Sequence, residues 1–251
     1  MTGRRALVGL AAVLAASAAF AWLVTQQQLW ASFLVRFSPD GVSALYPAGT
    51  LPDFVLAHLA LVGVSSGLTI VVGLPLGIWA TRRSGRAFRP LISGSADLGQ
   101  TFPPVAVLAL ALPALGFGFT PTVAALFLYG LFPVVSGTIA GIESVPPAVL
   151  EAARGMGMGP RQVLARVELP LASRLIIGGI RTAVVIDIGT ATVGAAIGAG
   201  GLGVPIIGGL VGTQNVAFVL EGAIPAAILA ILADSLLGQL EVAVTPPQAA
   251  S

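Results

Sequence analysis

The sequence predicts an all-α, polytopic membrane protein with about six transmembrane helices, and three observations predict it. Only 9% of the 251 residues are charged and 56% are hydrophobic; soluble domains carry about a quarter charged residues, so these charges are too few to coat a globule. Several apolar runs approach the roughly 20 residues that cross a bilayer as helix. They are continuous, where a β-barrel would alternate in segments of about ten residues. The third observation is where the arginines fall. All 12 basic residues are Arg. With the N-terminus inside, Arg4, Arg5, Arg82, Arg83, Arg86, Arg89, Arg154, Arg161, Arg166 and Arg174 are cytoplasmic, Arg36 is external, and Arg181 sits near the inner end of a span. That is the positive-inside asymmetry, and it explains the basic balance without nucleic acid. The chain has no Cys, which excludes a disulfide framework, a thiol nucleophile and a Cys-based metal site.

In chain order, Arg4 and Arg5 precede the apolar run 6–24. This run reads as an uncleaved first span, with a signal peptide cut after Ala16-Ser17-Ala18 as the alternative. Residues 26–54 are polar and turn-rich, and Trp30 and Phe33 predict a segment resting at the membrane interface. The second span is expected over 56–80 and the third over about 98–115, kinked by Pro103, Pro104 and Pro113. The fourth follows over 122–142, the fifth over 175–197 and the sixth over 218–240, with an external glycine-rich loop at 198–215. The division is then 1–55 anchor and external segment, 56–241 transmembrane domain and 242–251 C-terminal tail, of which TPPQAAS at 245–251 is expected to be disordered.

The longest polar interruption is Pro146 to Pro170, PPAVLEAARGMGMGPRQVLARVELP. Pro147 suits the first turn of a helix, where its missing N–H costs nothing, so Ala148 to Arg154 is read as a short helix. Gly155, Gly157 and Gly159 end it with a sharp turn. Pro160 starts a second helix with Val163, Leu164 and Val167 on one face, and Pro170 is expected to stop it before the fifth span. An ordinary amphipathic connector would carry the same pattern, but a loop this long in a compact protein is usually functional.

These residues carry a family resemblance. Glu151-Ala152-Ala153, Gly155 and Glu168-Leu169-Pro170 are similar to the EAA loop of permease subunits from binding-protein-dependent (type I) ABC importers. Gln100 to Pro103, Gly179 to Ala183, Gly189 to Thr192, Ile197 to Gly203 and Gly222 to Ala226 extend the resemblance toward the branch that imports osmoprotectants such as glycine betaine, choline and carnitine. It runs from about His58 to Glu241. It implies that Glu151, Ala152, Ala153, Gly155, Met156 and Gly157 couple to a cytoplasmic ATPase. It also implies a second permease subunit, two ATPase subunits, an external substrate-binding protein and a bacterial plasma-membrane location.

The motor belongs elsewhere: a Walker A motif needs a lysine for the phosphates, and the chain has none. No cofactor is therefore expected here, with ATP and Mg on the partner. Gly198 to Gly203 satisfies GxGxxG, but the dinucleotide fingerprint needs a βαβ unit around it. Gly200, Gly201, Leu202 and Gly203 are expected instead to form a flexible external gate. Ionisable groups at membrane depth usually face a cavity or a partner. Asp187 and Glu221, with Thr190 and Thr192, are accordingly expected along the translocation path, a pairing of Asp187 with Arg181 across helices or subunits being the alternative. His58 stands alone and is expected to pack rather than bind metal. No Ser–His or HExxH pattern indicates a hydrolase.

Overall fold

The computed structural model describes residues 2–90, 94, 102–212 and 214–245. The third span's expected start at Leu98, the Gln100-Thr101 pair and the tail from 246 lie outside the described residues. The protein is all-helical. Helix α1 is Thr2–Thr25, α2 Gln27–Leu34, α3 Leu51–Ala80, α4 Pro104–Leu115 and α5 Phe119–Glu143. They are followed by α6 Pro147–Gly155, α7 Pro160–Val163, α8 Leu169–Gly194, α9 Gly203–Ile207 and α10 Val216–Val244. Among the described residues, five stretches are long and apolar enough to cross a membrane, one of them a continuous 38-residue run from Pro160 to Ile197. The third expected span is represented among the described residues by α4 alone, 12 residues long. This is a multi-pass membrane protein.

Helix α3 begins five residues before the expected second span, so the boundary drawn at 55 falls inside it. Its N-terminus is closed by a capping box in which Asp53 N–H donates to Thr50 Oγ1 and Thr50 N–H donates to Asp53 Oδ2. This satisfies two backbone donors that the first helical turn leaves open. Helix α10 likewise runs on to Val244, shortening the expected tail.

Helices α3, α5, α8 and α10 form the interior. Their tightest crossing is α5 with α8. A side-chain carbon on Gly137 would lie 2.7 Å from the Leu175 carbonyl oxygen, one on Gly141 2.9 Å from that of Ala172, and one on Gly179 would run into that of Pro133. Small residues let membrane helices approach backbone to backbone, and van der Waals contact then holds them. The outer faces carry Leu7, Val8, Leu56, Val71 and Ile231 as exposed apolar side chains, as a lipid-facing surface requires.

Trp30 departs from expectation. It is 6% exposed, and its Nε1 donates to the Leu23 carbonyl, so α2 folds back onto α1; Phe33 alone of the pair stays on the surface. The segment after α2 is strapped to the bundle. Asn215 Nδ2 donates to the Ser43 carbonyl at 3.1 Å, and the Tyr46 ring meets Phe218 edge-on at 5.2 Å.

Candidate coupling elbow and the buried polar groups of the bundle

Residues 144–168 form an elbow of two short helices at one end of the bundle. Pro147 occupies the first turn of α6, as expected. The helix ends in a Schellman arrangement: Gly157 has φ +82, its N–H donates to the Arg154 carbonyl, and Met158 N–H donates to the Ala153 carbonyl. An L side chain at Gly157 would be strained, so glycine there makes the turn possible. The second arm is capped by the Gln162 side chain, whose Oε1 accepts from Gly159 N–H at 2.9 Å.

Of the residues expected to meet an ATPase, Glu151, Ala152, Gly155, Met156 and Gly157 are exposed, Met156 at 71%. Ala153 is not: it is 2% exposed and turned inward. Residues 151, 152, 155 and 156 share a helical face, and residue 153 lies off it. Ala153 is therefore the packing contact beneath the exposed face.

Pro170 does not end the second arm. Residues Leu164–Glu168 adopt a π-helical turn, with Leu169 N–H donating to the Leu164 carbonyl, and Pro170 then falls in the first turn of α8. A π turn changes the local hydrogen-bond register, which accommodates a proline N atom that cannot donate. The elbow's second arm and the fifth span are consequently one rod, about 55 Å long at helical rise.

The two carboxylates expected along a path lie inside the single chain. Asp187 is fully buried between α3 and α8, its Oδ2 accepting from Ser65 Oγ and Ser66 Oγ, each at 2.8 Å. Arg181, its alternative partner, instead grips Asp234 with Nε and NH2 at 2.9 and 2.8 Å, and Glu241 with NH1 at 2.9 Å. The sequence reading missed both carboxylates; their spacing on α10, seven residues or two turns, is the signal that would have paired them with one cation. Glu221 is 1% exposed, and its Oε2 accepts from Tyr46 N–H at 2.7 Å. It lines a cavity of about 260 Å³ with Trp30, Tyr46 and Thr50. Thr190 and Thr192 are half-buried on α8, and Thr192 Oγ1 donates to the Gly189 carbonyl. His58 is fully buried, its Nε2 donating to the Ile188 carbonyl at 3.0 Å.

Asp187→Ala is expected to lose about 1–3 kcal/mol of stability, because the buried Ser66 hydroxyl loses its acceptor and Ser65 keeps only the Val62 carbonyl. Asp187→Asn, whose carbonyl still accepts, is expected to lose less. Thermal unfolding of the two purified variants in detergent checks this order.

The segment expected to form a flexible gate is packed against the bundle. Leu202 is fully buried and Gly201 and Gly203 are buried, while Gly200 is half-buried. A side chain on Gly203 would run into the Thr192 carbonyl, and one on Gly222 into that of Leu202. Within the expected loop 198–215, residues Gly203–Ile207 are α-helical and Gly208–Gly212 form a second π turn. The glycines here serve close packing as much as turning; Gly200 and Gly201 do have φ of +83 and +79.

Comparison with known proteins follows the same lines. Among solved structures, the chain is similar to an inward-facing conformation of the MetNI methionine ABC transporter, with a TM-score of 0.68 at 23% identity, covering 88% of this chain and 100% of that one. That likeness establishes the fold. Among relatives, the osmoprotectant import permease protein OsmW of Salmonella typhimurium is 42% identical, over 79% of this chain and 94% of its own length. The glycine betaine/carnitine/choline transport system permease protein OpuCD of Bacillus subtilis is 43% identical, over 70% and 76%. Residues 73–245 match the model of the binding-protein-dependent transport system inner membrane component, and the chain belongs to that family.

Proposed function

We propose that this chain is the membrane-spanning permease subunit of an ATP-driven importer of quaternary-ammonium osmoprotectants of the glycine betaine, choline and carnitine class. The observation that carries the coupling role is the exposed face Glu151, Ala152, Gly155 and Met156 on an elbow continuous with a membrane-crossing helix. The solute class is supported by the relatives, one named for osmoprotectant import and one for glycine betaine, carnitine and choline transport, each matched over most of its length.

On this reading a second permease subunit completes the pathway, an external binding protein delivers the solute, and two ATPase subunits dock on the elbows at the cytoplasmic face. ATP and Mg²⁺ reside on those partners, and the chain itself performs no bond chemistry. The arginine-rich connectors support a cytoplasmic elbow and a cytoplasmic N-terminus, in the bacterial plasma membrane. The transmembrane domain starts with α3, preceded by the anchor and strap of residues 1–50. Thr190 and Thr192 offer their half-buried side chains to the path. Asp187 and Glu221 stand behind it, and the packed 200–203 segment gates its outer end, opening when the rods rock.

The test of the solute class is calorimetry on the assembled complex with the binding protein encoded beside it, titrated with glycine betaine, choline, carnitine and amino acids. Saturable heat with at least one quaternary amine is expected. Heat with amino acids alone would overturn the solute class and leave the permease reading in place.

A further inference from the structure

The elbow is gripped from a third direction. Its two stems end in carboxylates: Glu143 closes α5 before it, and Glu168 closes the π turn after it. Both are held by arginines from one short connector, residues 81–90, at the end of α3. Arg82 NH1 and NH2 donate to Glu168 Oε1 and Oε2 at 3.1 and 2.5 Å, with the Glu168 side chain only 6% exposed. Arg89 makes the same fork on Glu143, NH1 to Oε1 and NH2 to Oε2. A bidentate guanidinium–carboxylate pair sets orientation as well as distance.

The connector is tied back to the end of α3. Arg82 N–H donates to the Trp79 carbonyl, and Gly85 and Arg86 N–H both donate to the Arg82 carbonyl. The Trp79 and Phe88 rings stack at 5.5 Å and 24°. Gly85 lies so close beneath the Trp79 carbonyl that no side chain fits there. The other two arginines, Arg83 and Arg86, are exposed and make no ion pair among the described residues.

We propose that Arg82 and Arg89 are positioning residues of the coupling unit, clamping both stems of the elbow to α3 so that a push on Glu151 moves α3, α5 and α8 together. The proposal rests on the coupling role given to the elbow. Without the clamp, the elbow would yield on its stems and dissipate the stroke, so ATP would be hydrolysed with less solute moved.

The test uses the assembled complex of permease, ATPase and binding protein in proteoliposomes, with solute uptake and ATP hydrolysis measured in parallel. For R82Q/R89Q, the ATP consumed per solute imported is expected to rise about fivefold or more, the scale of a lost coupling interaction. R83Q/R86Q should leave the ratio at its wild-type value, which separates clamping from bulk charge. Arg82→Lys keeps the charge but not the fork and should raise the ratio in the same direction, which carries the test if the double variant fails to assemble. The exchange R82E/E168R should bring the ratio back toward wild type. An unchanged ratio in both R82Q/R89Q and Arg82→Lys overturns the clamp. A Glu151→Arg complex measured alongside keeps the two readings apart. If that variant uncouples while the clamp variants do not, the elbow reading stands and the clamp falls. If that variant stays coupled, the elbow reading itself is overturned.

Discussion

A Glu151→Arg permease is expected to fold and reach the membrane normally and to lose solute uptake by about tenfold or more, the effect of a lost contact worth ~1.4 kcal/mol or more. The side chain is exposed on α6 and makes no ion pair among the described residues, so its replacement leaves the bundle's packing untouched. What changes is the face offered to a partner: a carboxylate beside the small surface of Ala152 and Gly155 becomes a long cation. Interfaces lose most when a central residue is replaced by a repelling one. Thermal unfolding of the purified variant should match wild type, while ATPase activity in the assembled complex no longer drives uptake. Uptake at wild-type rates would remove Glu151 from the coupling contact.

Gly179→Ala should have a large effect on folding. The added methyl has nowhere to go, since it would run into the Pro133 carbonyl at the crossing of α5 and α8. Backbone of a neighbouring helix cannot rotate aside as a side chain can, so the helices must separate along the Gly137–Gly141 contact. Overpacking of this kind costs about 1–3 kcal/mol and sometimes more. Gly178→Ala is the matched control, because a side-chain carbon there meets nothing within 4 Å in the single chain. A clear drop in the thermal midpoint for the first variant and none for the second is expected from fluorescence-detected size-exclusion melts. Equal melts for the two would show that the α5–α8 crossing is looser than the backbone approach indicates.

Five of the six expected spans were legible because a bilayer demands long apolar runs. The elbow was legible too, since Pro147, Pro160 and the glycines between them specify local backbone geometry whatever the tertiary surroundings. Boundaries that depend on side chains of ordinary type were missed. The capping box of Thr50 and Asp53 starts α3 five residues early, within a stretch read as polar and turn-rich for its prolines. Proline usually stops a helix, so Pro170 looks like an end in the sequence; the π turn before it depends on how the elbow packs, which sequence spacing does not reveal. The glycine content of 198–215 points to a flexible loop. Glycine also permits backbone contact, and only the positions of the Thr192 and Leu202 carbonyls show which use prevails.

The buried charges were the least legible. Asp187 and Arg181 stand six residues apart on one helix, so each had to find partners elsewhere. Those partners are Ser65 and Ser66 on α3 for the first, and Asp234 and Glu241 on α10 for the second. Such pairs are set by which helices become neighbours. The same holds for the arginines at 82 and 89. Their composition marks a topology signal, while two of the four are also committed to the elbow's stems.

On the proposed function, ATP hydrolysed on a partner drives a quaternary amine through this chain. The most direct measurement is uptake of radiolabelled glycine betaine, choline and carnitine into proteoliposomes holding the permease, its ATPase and its binding protein, with and without ATP. Accumulation of at least one of the three that requires both ATP and the binding protein is the predicted result. Accumulation driven by an imposed ion gradient without ATP, or none of the three transported while ATP is hydrolysed in response to another solute, would contradict the account.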